Sequence, residues 1–350
     1  MWVLRYLSLT AMVSALPIDS YTNNSINTTN VTMTQLAKSQ GSSDFFELKK
    51  YANLASVAYC LNKGLRESMK IGDQEKTCPS LACSHEGISH YKVLKTFRFD
   101  GWFDVGSSFI SVDHHERTLY LTFRGTSSTQ DWLNNFDAFL VDYTPLVFTN
   151  GMSAKELRCE ECKIHRGFNS FVTQNGVKVV KEMTKMKKKY PNYQIVVSGH
   201  SLGGAMALLA GIELRILGYD TLVVTLAGPM VGNQAFADFT NKLLQTDKVV
   251  TYISKKRSFE FLDVGYVRMI HKHDIVPLLP PSKIYQHAGY EYYLSNRGVL
   301  QTPESVIRRG TNYVEDVEMS YQDMIPSGFS RDDHVNYFFL VTSCVPPEDA

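Results

Sequence analysis

The sequence has almost no net charge, because 36 lysine and arginine residues offset 35 aspartate and glutamate residues over 350 positions. A balanced chain produces no broad electrostatic field that would attract nucleic acid or an anionic membrane. Internal repeats are also lacking, and nothing in the composition is typical of a disordered or collagenous chain. With 44% hydrophobic residues, the chain can bury a sizeable core. We expect a globular protein with no nucleic-acid partner.

Long apolar runs are a second absence. The apolar stretch over residues 6–16 is too short to span a bilayer as a helix, and no later window has enough uninterrupted apolar length to form a transmembrane helix. It follows Arg5 and ends in the small residues Ser14 and Ala15, a pattern typical of a cleaved secretion signal. We expect a signal peptide over residues 1–15, with a single membrane anchor as the alternative, and no transmembrane segment in the mature chain.

The next segment, residues 16–43, is dominated by Asn, Thr, Ser and Gln and is predicted to be a flexible linker or pro-segment. Three Asn-x-Ser/Thr tripeptides in it, at Asn23, Asn27 and Asn30, are candidate glycosylation sites. Helical periodicity begins at Asp44. We therefore predict a single catalytic domain over residues 44–350.

Six cysteines in a secreted chain favour disulfides, with fifteen possible pairings. The pairs near enough in sequence to close small loops are Cys78 with Cys83 and Cys159 with Cys162. That leaves Cys60 to pair with Cys344 and to tie the first helix to the C-terminus. A zinc or redox role for Cys159 and Cys162 is the alternative, although no second ligand pair at similar spacing supports it.

Strand-like and helical patterns alternate in the second half of the chain. Strands are predicted at residues 91–99, 108–112, 118–123, 194–198, 222–226 and 266–270. Helices are predicted over residues 168–189, 202–217 and 233–244. This alternation indicates a mostly parallel central sheet covered by helices.

A nucleophile elbow is predicted where one of these strands meets a helix. The segment Gly199-His200-Ser201-Leu202-Gly203 matches the G-x-S-x-G pattern. The sharp turn exposes the serine hydroxyl, and glycines on either side remove Cβ atoms that would clash. The alternative is a glycine-rich turn without chemistry. The position between a buried strand and an apolar helix favours Ser201 as a nucleophile.

A serine nucleophile needs a base, and ten histidines are available. In hydrolases of this kind the chain order is Ser, then Asp or Glu, then His, so the base should come late. His334, near the C-terminus and before an aromatic stretch expected to be helical, fits best. The histidines set aside as bases are His114, His115, His200, His271 and His273.

His200 and the pair formed by His271 and His273 each have a specific interpretation. His200 adjoins the serine, and we expect its side chain to point away around the turn and to be structural. His271 and His273 alternate on a predicted strand beside Asp274, which superficially suggests a metal pair. Without a third ligand at a recognisable spacing the pattern is weak, and we expect no metal.

The acid should lie between Ser201 and His334 at the end of a core strand. Asp274 satisfies both conditions, since it follows a predicted strand directly. Its role would be to hold the imidazole in the correct tautomer and to stabilise the imidazolium. Asp263 and Asp316 are rivals by chain order alone.

These motifs together resemble the fungal class 3 lipases, particularly the secreted yeast lipases. The resemblance extends from Phe45 to Cys344 and rests on ordered motifs: Phe123-Arg124-Gly125-Thr126, Ile164-His165-Arg166-Gly167-Phe168, the block over residues 190–209, Gly228 to Asn233, His273-Asp274, and Asp333-His334. It implies an α/β hydrolase fold with Ser201, Asp274 and His334 as the triad. It also implies an oxyanion hole formed by Thr126 and the backbone N–H of Leu202. The three cysteine pairs above look like the yeast lipase pattern, although a further pair common in related lipases is missing.

The resemblance further implies a lid after Thr126. Residues 127–140 contain an apolar stripe at helical spacing that includes Trp132, Leu133 and Phe136. Such a stripe is also typical of an ordinary core helix. As a lid it would cover an apolar groove in water and open against lipid.

The implied activity is that of a secreted triacylglycerol lipase. Such an enzyme works through an acyl-enzyme, needs no metal or organic cofactor, and acts as a monomer on ester lipids at a lipid–water interface. Esterases of other specificity, such as a feruloyl esterase or a phospholipase, share the same triad. A catalytically dead lipid-binding or adhesion homologue and a structural glycoprotein are the alternatives from other classes.

Overall fold

The computed structural model describes residues 33–99, 106–126, 138–146, 159–255, 257–280, 283–311 and 331–345, with side chains from residue 43 onward except Arg331. Several predictions fall outside these residues. They are the signal peptide, the sequons at Asn23, Asn27 and Asn30, the lid residues Trp132, Leu133 and Phe136, and the rival acid Asp316.

The described residues form ten strands. These are β1 (Lys92–Phe97), β2 (Ser108–Asp113), β3 (Thr118–Phe123), β4 (Leu140–Asp142), β5 (Lys163–His165), β6 (Gln194–His200), β7 (Thr221–Leu226), β8 (Gly265–His271), β9 (Tyr290–Leu294) and β10 (Val306–Gly310). Eight of them build one sheet in the order β1-β2-β3-β6-β7-β8-β9-β10, while β4 and β5 pair separately. Strands β3, β6, β7, β8 and β9 run parallel, and antiparallel pairs close both edges.

Helices cover the sheet on both faces. Their bounds are α1 (Met33–Tyr59), α2 (Leu81–Ser84), α3 (Glu86–Ser89), α4 (Arg166–Phe171), α5 (Val177–Lys189), α6 (Leu202–Ile216), α7 (Gln234–Leu243), α8 (Thr246–Ser254) and α9 (Arg331–Val335). Helix α6 is buried along nearly its whole length, as its apolar sequence requires. Among the described residues, no helix has both the length and the apolarity needed to cross a bilayer.

Two hydrophobic layers result, because successive side chains of a strand point to opposite faces. Val197 packs on the face covered by α5, α6 and α7, whereas its neighbour Val196 packs on the face covered by α1 and α8. The central strands are buried on both faces, which explains their continuous apolar sequences. The layers hold the carboxyl ends of the parallel strands at a common edge.

Three disulfides are present, and they join Cys60 to Cys344, Cys78 to Cys83 and Cys159 to Cys162. Cys60 directly follows α1 in a short 3₁₀ turn, so its bond to Cys344 links the end of the first helix to the C-terminal segment. Cys159 and Cys162 are not free thiolates that could bind zinc in this structure, because their sulfurs are bonded to each other.

Some element bounds differ from the sequence expectation. Helix α1 begins at Met33, well before Asp44. The helix expected over residues 168–189 is interrupted by a π-helical turn, Val172–Gly176, where glycine weakens regular helix. The helix expected after His334 is also wrong: α9 ends at Val335, and residues 336–340 form a turn closed by a bridge between Asn336 and Leu340.

Candidate active site

Ser201 occupies the turn between strand β6 and helix α6 with a φ of 59° and a ψ of −132°. This conformation is strained for a residue with a side chain and persists when its surroundings enforce it. The Ser201 N–H donates to the Leu226 carbonyl at 2.8 Å, which fixes the turn against strand β7. A Cβ atom at Gly203 would lie 2.6 Å from the Phe123 carbonyl oxygen, so glycine is required there. The strand–turn–helix context is the one predicted.

Three side chains from distant parts of the chain meet at this turn. The Ser201 Oγ lies 3.0 Å from His334 Nε2, and His334 Nδ1 lies 2.9 Å and 3.0 Å from the two carboxylate oxygens of Asp274. An ionised carboxylate only accepts, so the imidazole carries its proton on Nδ1 and leaves Nε2 to accept from the serine hydroxyl. All three residues are buried. The structure therefore brings together the predicted nucleophile, base and acid.

Asp274 receives two further hydrogen bonds. The Val276 N–H donates to one carboxylate oxygen at 2.9 Å, and the Tyr337 hydroxyl donates to the other at 2.7 Å. Burial raises the pKa of Tyr337 well above its ordinary value, so the phenol remains a donor. Sequence reasoning missed Tyr337, although its position three residues after His334 is a signal that could have suggested it.

Thr126 lies next to the nucleophile because strand β3 runs parallel to β6, with Phe123 opposite Gly199. The threonine is 4% exposed, and its Oγ1 has no hydrogen-bond partner within the described part of the chain. A buried hydroxyl without a partner is costly unless a ligand completes it. The first backbone amides of helix α6, beginning with Leu202, are also free of intrahelical partners. Thr126 and Leu202, the residues predicted to form an oxyanion hole, thus both lie close to the turn that carries Ser201.

The rival residues are placed elsewhere. Asp263 is exposed, and so are His114 and His115. His271 ends strand β8, and its two ring nitrogens lie 2.9 Å from the Asp333 carbonyl and 2.6 Å from the Asn296 carbonyl. His273 follows in a turn rather than on the strand. Backbone carbonyls therefore surround His271, and the strand alternation that suggested a metal pair is not present.

His200 differs from the expectation that its side chain points away. The ring is fully buried, and its centroid lies 4.9 Å from that of the His334 ring. Its Nε2 lies 2.9 Å from the His334 carbonyl oxygen. The His200 ring therefore lies against the catalytic histidine. That position could not be read from the local sequence.

Comparison with known proteins places this site in a family. The model of the class 3 lipases matches residues 120–284. The LIH1 protein of Saccharomyces cerevisiae is 36% identical over 250 residues, covering 69% of this chain and 75% of its own length. A lipase of Rhizomucor miehei is 27% identical over 308 residues, covering 86% of this chain and 70% of its own. The chain belongs to the class 3 lipase family.

Solved structures agree with this assignment. The LIP2 lipase of Yarrowia lipolytica superposes with a TM-score of 0.68 at 27% identity, covering 85% of this chain and 95% of its own. The lipase of Rhizopus microsporus var. chinensis gives a TM-score of 0.62 at 26% identity, covering 87% of this chain and 90% of its own. The predicted α/β hydrolase fold is confirmed, and the prediction of an enzyme of the lipase type is confirmed with it.

Proposed function

We propose that this chain is a secreted lipase that hydrolyses the ester bonds of triacylglycerol through an acyl-enzyme on Ser201. The observation that carries the proposal is the continuous hydrogen-bonded series from Ser201 through His334 to Asp274, buried at the carboxyl edge of the parallel strands. Ligand sites of open α/β sheets lie at this edge. The two ring nitrogens of His334 have different partners, as a general base needs.

The reaction would proceed in two acyl transfers. His334 Nε2 takes the hydroxyl proton of Ser201 as Oγ attacks the ester carbonyl, and the imidazolium then gives that proton to the departing alcohol. Water repeats the sequence: it gives its proton to His334, attacks the acyl carbon and releases the fatty acid as Oγ recovers the proton. Asp274 stabilises the imidazolium in both halves. These steps use side chains of the protein alone, and we propose no metal or organic cofactor.

An oxyanion forms in each transfer, and Thr126 and Leu202 would hold it. The Thr126 Oγ1 is a buried donor with no partner in the described residues, and the Leu202 N–H opens helix α6. A preorganised donor of this kind contributes about 3–4 kcal/mol to lowering the barrier. The positive end of the α6 dipole adds to the same effect.

Secretion is part of the proposal. The apolar segment over residues 6–16 has the pattern of a signal peptide. Three disulfides are typical of an oxidising environment, and no free cysteine occurs among the described residues. We propose that residues 1–15 are removed, that residues 16–43 form a linker or pro-segment bearing the sequons Asn23, Asn27 and Asn30, and that residues 44–350 are the catalytic domain of a monomer.

A lid at residues 127–140 is the last part of the proposal. Phe139, at the described end of this segment, is 63% exposed and its ring packs on the Arg166 side chain. A large exposed aromatic residue suits contact with a lipid surface. We propose that Trp132, Leu133 and Phe136 belong to the same lid. Activity should then rise sharply once a short-chain ester exceeds its solubility and forms an interface.

The test is release of fatty acid from emulsified long-chain triacylglycerol by the secreted protein. Ser201→Ala should release none, whereas Ser198→Ala should match the wild type, because Ser198 is equally buried on β6 but bonds to Thr122 Oγ1 at 3.1 Å. Soluble p-nitrophenyl esters, a feruloyl ester and phospholipid vesicles serve as comparison substrates. Equal or better turnover of any of these per active site would overturn the triacylglycerol assignment. No turnover of any substrate would favour a lipid-binding protein.

A further inference from the structure

A second hydrogen-bonded series ends on the backbone of the catalytic histidine. The Tyr59 hydroxyl lies 2.9 Å from His200 Nδ1, and His200 Nε2 lies 2.9 Å from the backbone carbonyl oxygen of His334. Tyr59 is the last residue of helix α1, and His200 is the last residue of strand β6. The series therefore joins the first helix, the elbow and the catalytic histidine.

The direction of the bonds follows from the partners. A backbone carbonyl only accepts, so His200 must carry its proton on Nε2, and Nδ1 must accept from the tyrosine hydroxyl. Burial lowers the pKa of His200 to about 3, with a smaller contribution from His334. Burial likewise raises the pKa of Tyr59 far above its ordinary value. Both groups are therefore neutral at every pH at which the enzyme would work, and the tautomer of His200 is fixed.

The same tyrosine also lies close to Gly125 and Thr126, the turn after strand β3 that we call the oxyanion turn. The Tyr59 hydroxyl oxygen lies against the Gly125 backbone. A Cβ atom at Gly125 would lie 2.6 Å from that oxygen and 2.9 Å from both the His200 carbonyl oxygen and the Ser201 Cβ. Gly125 immediately precedes Thr126, the residue assigned to the oxyanion hole. One hydroxyl thus contacts the backbone of the oxyanion turn and, through His200, the backbone of the base.

We propose that Tyr59 and His200 are positioning residues that hold the oxyanion turn, the nucleophile and His334 in mutual register. This inference rests on the proposed hydrolytic function. The three parts come from segments far apart in the sequence, and a misplacement of about 1 Å in such a site costs about 100-fold in rate. The Cys60–Cys344 disulfide, one residue beyond Tyr59, fixes the end of α1 against the segment that carries His334.

Two amide substitutions at position 200 separate positioning from packing. Glutamine places its amide nitrogen where the imidazole Nε2 was and keeps the bond to the His334 carbonyl. Asparagine places its amide near Nδ1 and keeps only the bond to Tyr59. We expect His200→Gln to lower kcat by less than about tenfold and His200→Asn by about 100-fold, both with KM within about twofold of the wild type. A soluble short-chain ester is the substrate, and rates are divided by the phosphonate-titrated active fraction.

Removal of the tyrosine hydroxyl provides a milder test with a matched control. Tyr59→Phe leaves His200 Nδ1 without its buried partner and removes the hydroxyl that lies against the Gly125 backbone, and we expect kcat to fall about tenfold. Tyr91→Phe also removes a buried hydroxyl, one that donates to the Tyr120 hydroxyl at 3.4 Å away from the site. Its kcat should stay within about twofold of the wild type. If His200→Asn does not fold, this pair of tyrosine variants decides the question.

A spectroscopic readout does not depend on turnover. With ¹⁵N-histidine labelling, His200 of the wild type should show a protonated Nε2 and an unprotonated Nδ1 from pH 5 to pH 9, and Tyr59→Phe should shift both signals. Equal losses of kcat in the two amide variants, an unchanged kcat in Tyr59→Phe, or a His200 that titrates near its ordinary pKa would overturn the proposal. A wild type that turns over no ester would contradict the proposed hydrolytic function. The NMR experiment would still test the hydrogen bonds from Tyr59 through His200 to His334, because it does not depend on activity.

Discussion

Two buried carboxylates in this protein have opposite surroundings. Asp274, at the end of strand β8, is bonded by neutral donors: an imidazole N–H, a phenol and a backbone amide. Glu291, on strand β9, is bonded by two cations: Arg268, in a short contact, and Arg309 at 3.3 Å. The two carboxylates are 4% and 1% exposed, so burial does not distinguish them.

The difference lies in where the negative charge is compensated. The charge of Glu291 is neutralised within the sheet by fixed guanidinium groups, and such a closed ion pair contributes to structure and has no capacity for a further cation. Asp274 accepts hydrogen bonds from three groups, none of which carries a permanent positive charge. An imidazolium at His334 would supply that charge when the proton arrives from Ser201. The catalytic network is thus left incomplete in the resting state, and the structural one is complete.

Asp274→Asn removes the charge of the catalytic carboxylate and should have the largest effect on kcat. The amide cannot stabilise an imidazolium and favours the wrong tautomer of His334, so kcat should fall about 10⁴-fold. Thermal stability should change little in comparison, because the neutral partners can bond to an amide. The measurement is turnover of a soluble ester alongside a melting curve. Activity within tenfold of the wild type would contradict the assigned role.

Glu291→Gln removes the charge of the structural carboxylate and should lower stability without changing turnover. Removal of the carboxylate charge leaves the Arg268 guanidinium buried without its counter-charge, and unfolding should become easier by about 3–5 kcal/mol. Urea denaturation measures the change. The kcat of the folded fraction should match that of the wild type, because the pair does not contact the site. A stable variant with impaired turnover would reverse the distinction between the two carboxylates.

Thr126→Val tests whether the Thr126 hydroxyl belongs to the oxyanion hole. The substitution keeps the shape of the side chain and removes a hydroxyl that has no partner among the described residues. We expect kcat to fall about 10²–10³-fold, with stability unchanged or slightly raised since a buried unpaired polar group is lost. A Thr122→Val variant, at a residue that bonds Ser198 on the neighbouring strand, is the control for the loss of a buried hydroxyl. Loss of stability with unchanged turnover would remove Thr126 from the oxyanion hole.

Glu47 on helix α1 is an intermediate case and should give the smallest effect. Burial raises its pKa to about 8, although the Lys50 ammonium at 2.8 Å lowers it in part. Because the folded-state pKa is raised, the stabilising contribution of this carboxyl is fully present below its ordinary pKa near 4.5 and is lost as the pH rises to about 8.

Glu47→Gln tests this behaviour, since an uncharged amide has no such pH dependence. The melting temperature of the wild type, relative to that of the variant, should fall by roughly 2–4 °C between pH 5 and pH 9. The difference between the two proteins is the quantity to follow, because other groups also titrate in this range. A constant difference would mean that Glu47 ionises normally in the folded protein.

Local sequence patterns predicted the parts of the fold and site that depend on local physics. The elbow at Ser201 needs glycines and a strand–helix junction, which are visible in five residues. Asp274 could be placed because polar side chains at strand ends project from a parallel sheet. The central strands could be placed because they are buried on both faces and read as apolar runs.

The rest depends on distant contacts. Tyr337 and Tyr59 are ordinary buried tyrosines by sequence, and their roles depend on which carboxylate or imidazole folding brings to the hydroxyl. Strand β9 is rich in tyrosine, and β10 carries Arg308 and Arg309 at the sheet edge, so neither shows the apolar run of a central strand. Helical periodicity over residues 168–189 did not predict the π-helical turn at Val172–Gly176.

The role of Ser201 as the nucleophile is tested most directly by covalent labelling with an active-site serine phosphonate, followed by peptide mass spectrometry. We expect one adduct per chain, located on Ser201, with labelling abolished in Ser201→Ala, slowed strongly in Asp274→Asn and unchanged in Glu291→Gln. An adduct on another residue, or none in a folded wild type, would contradict that role.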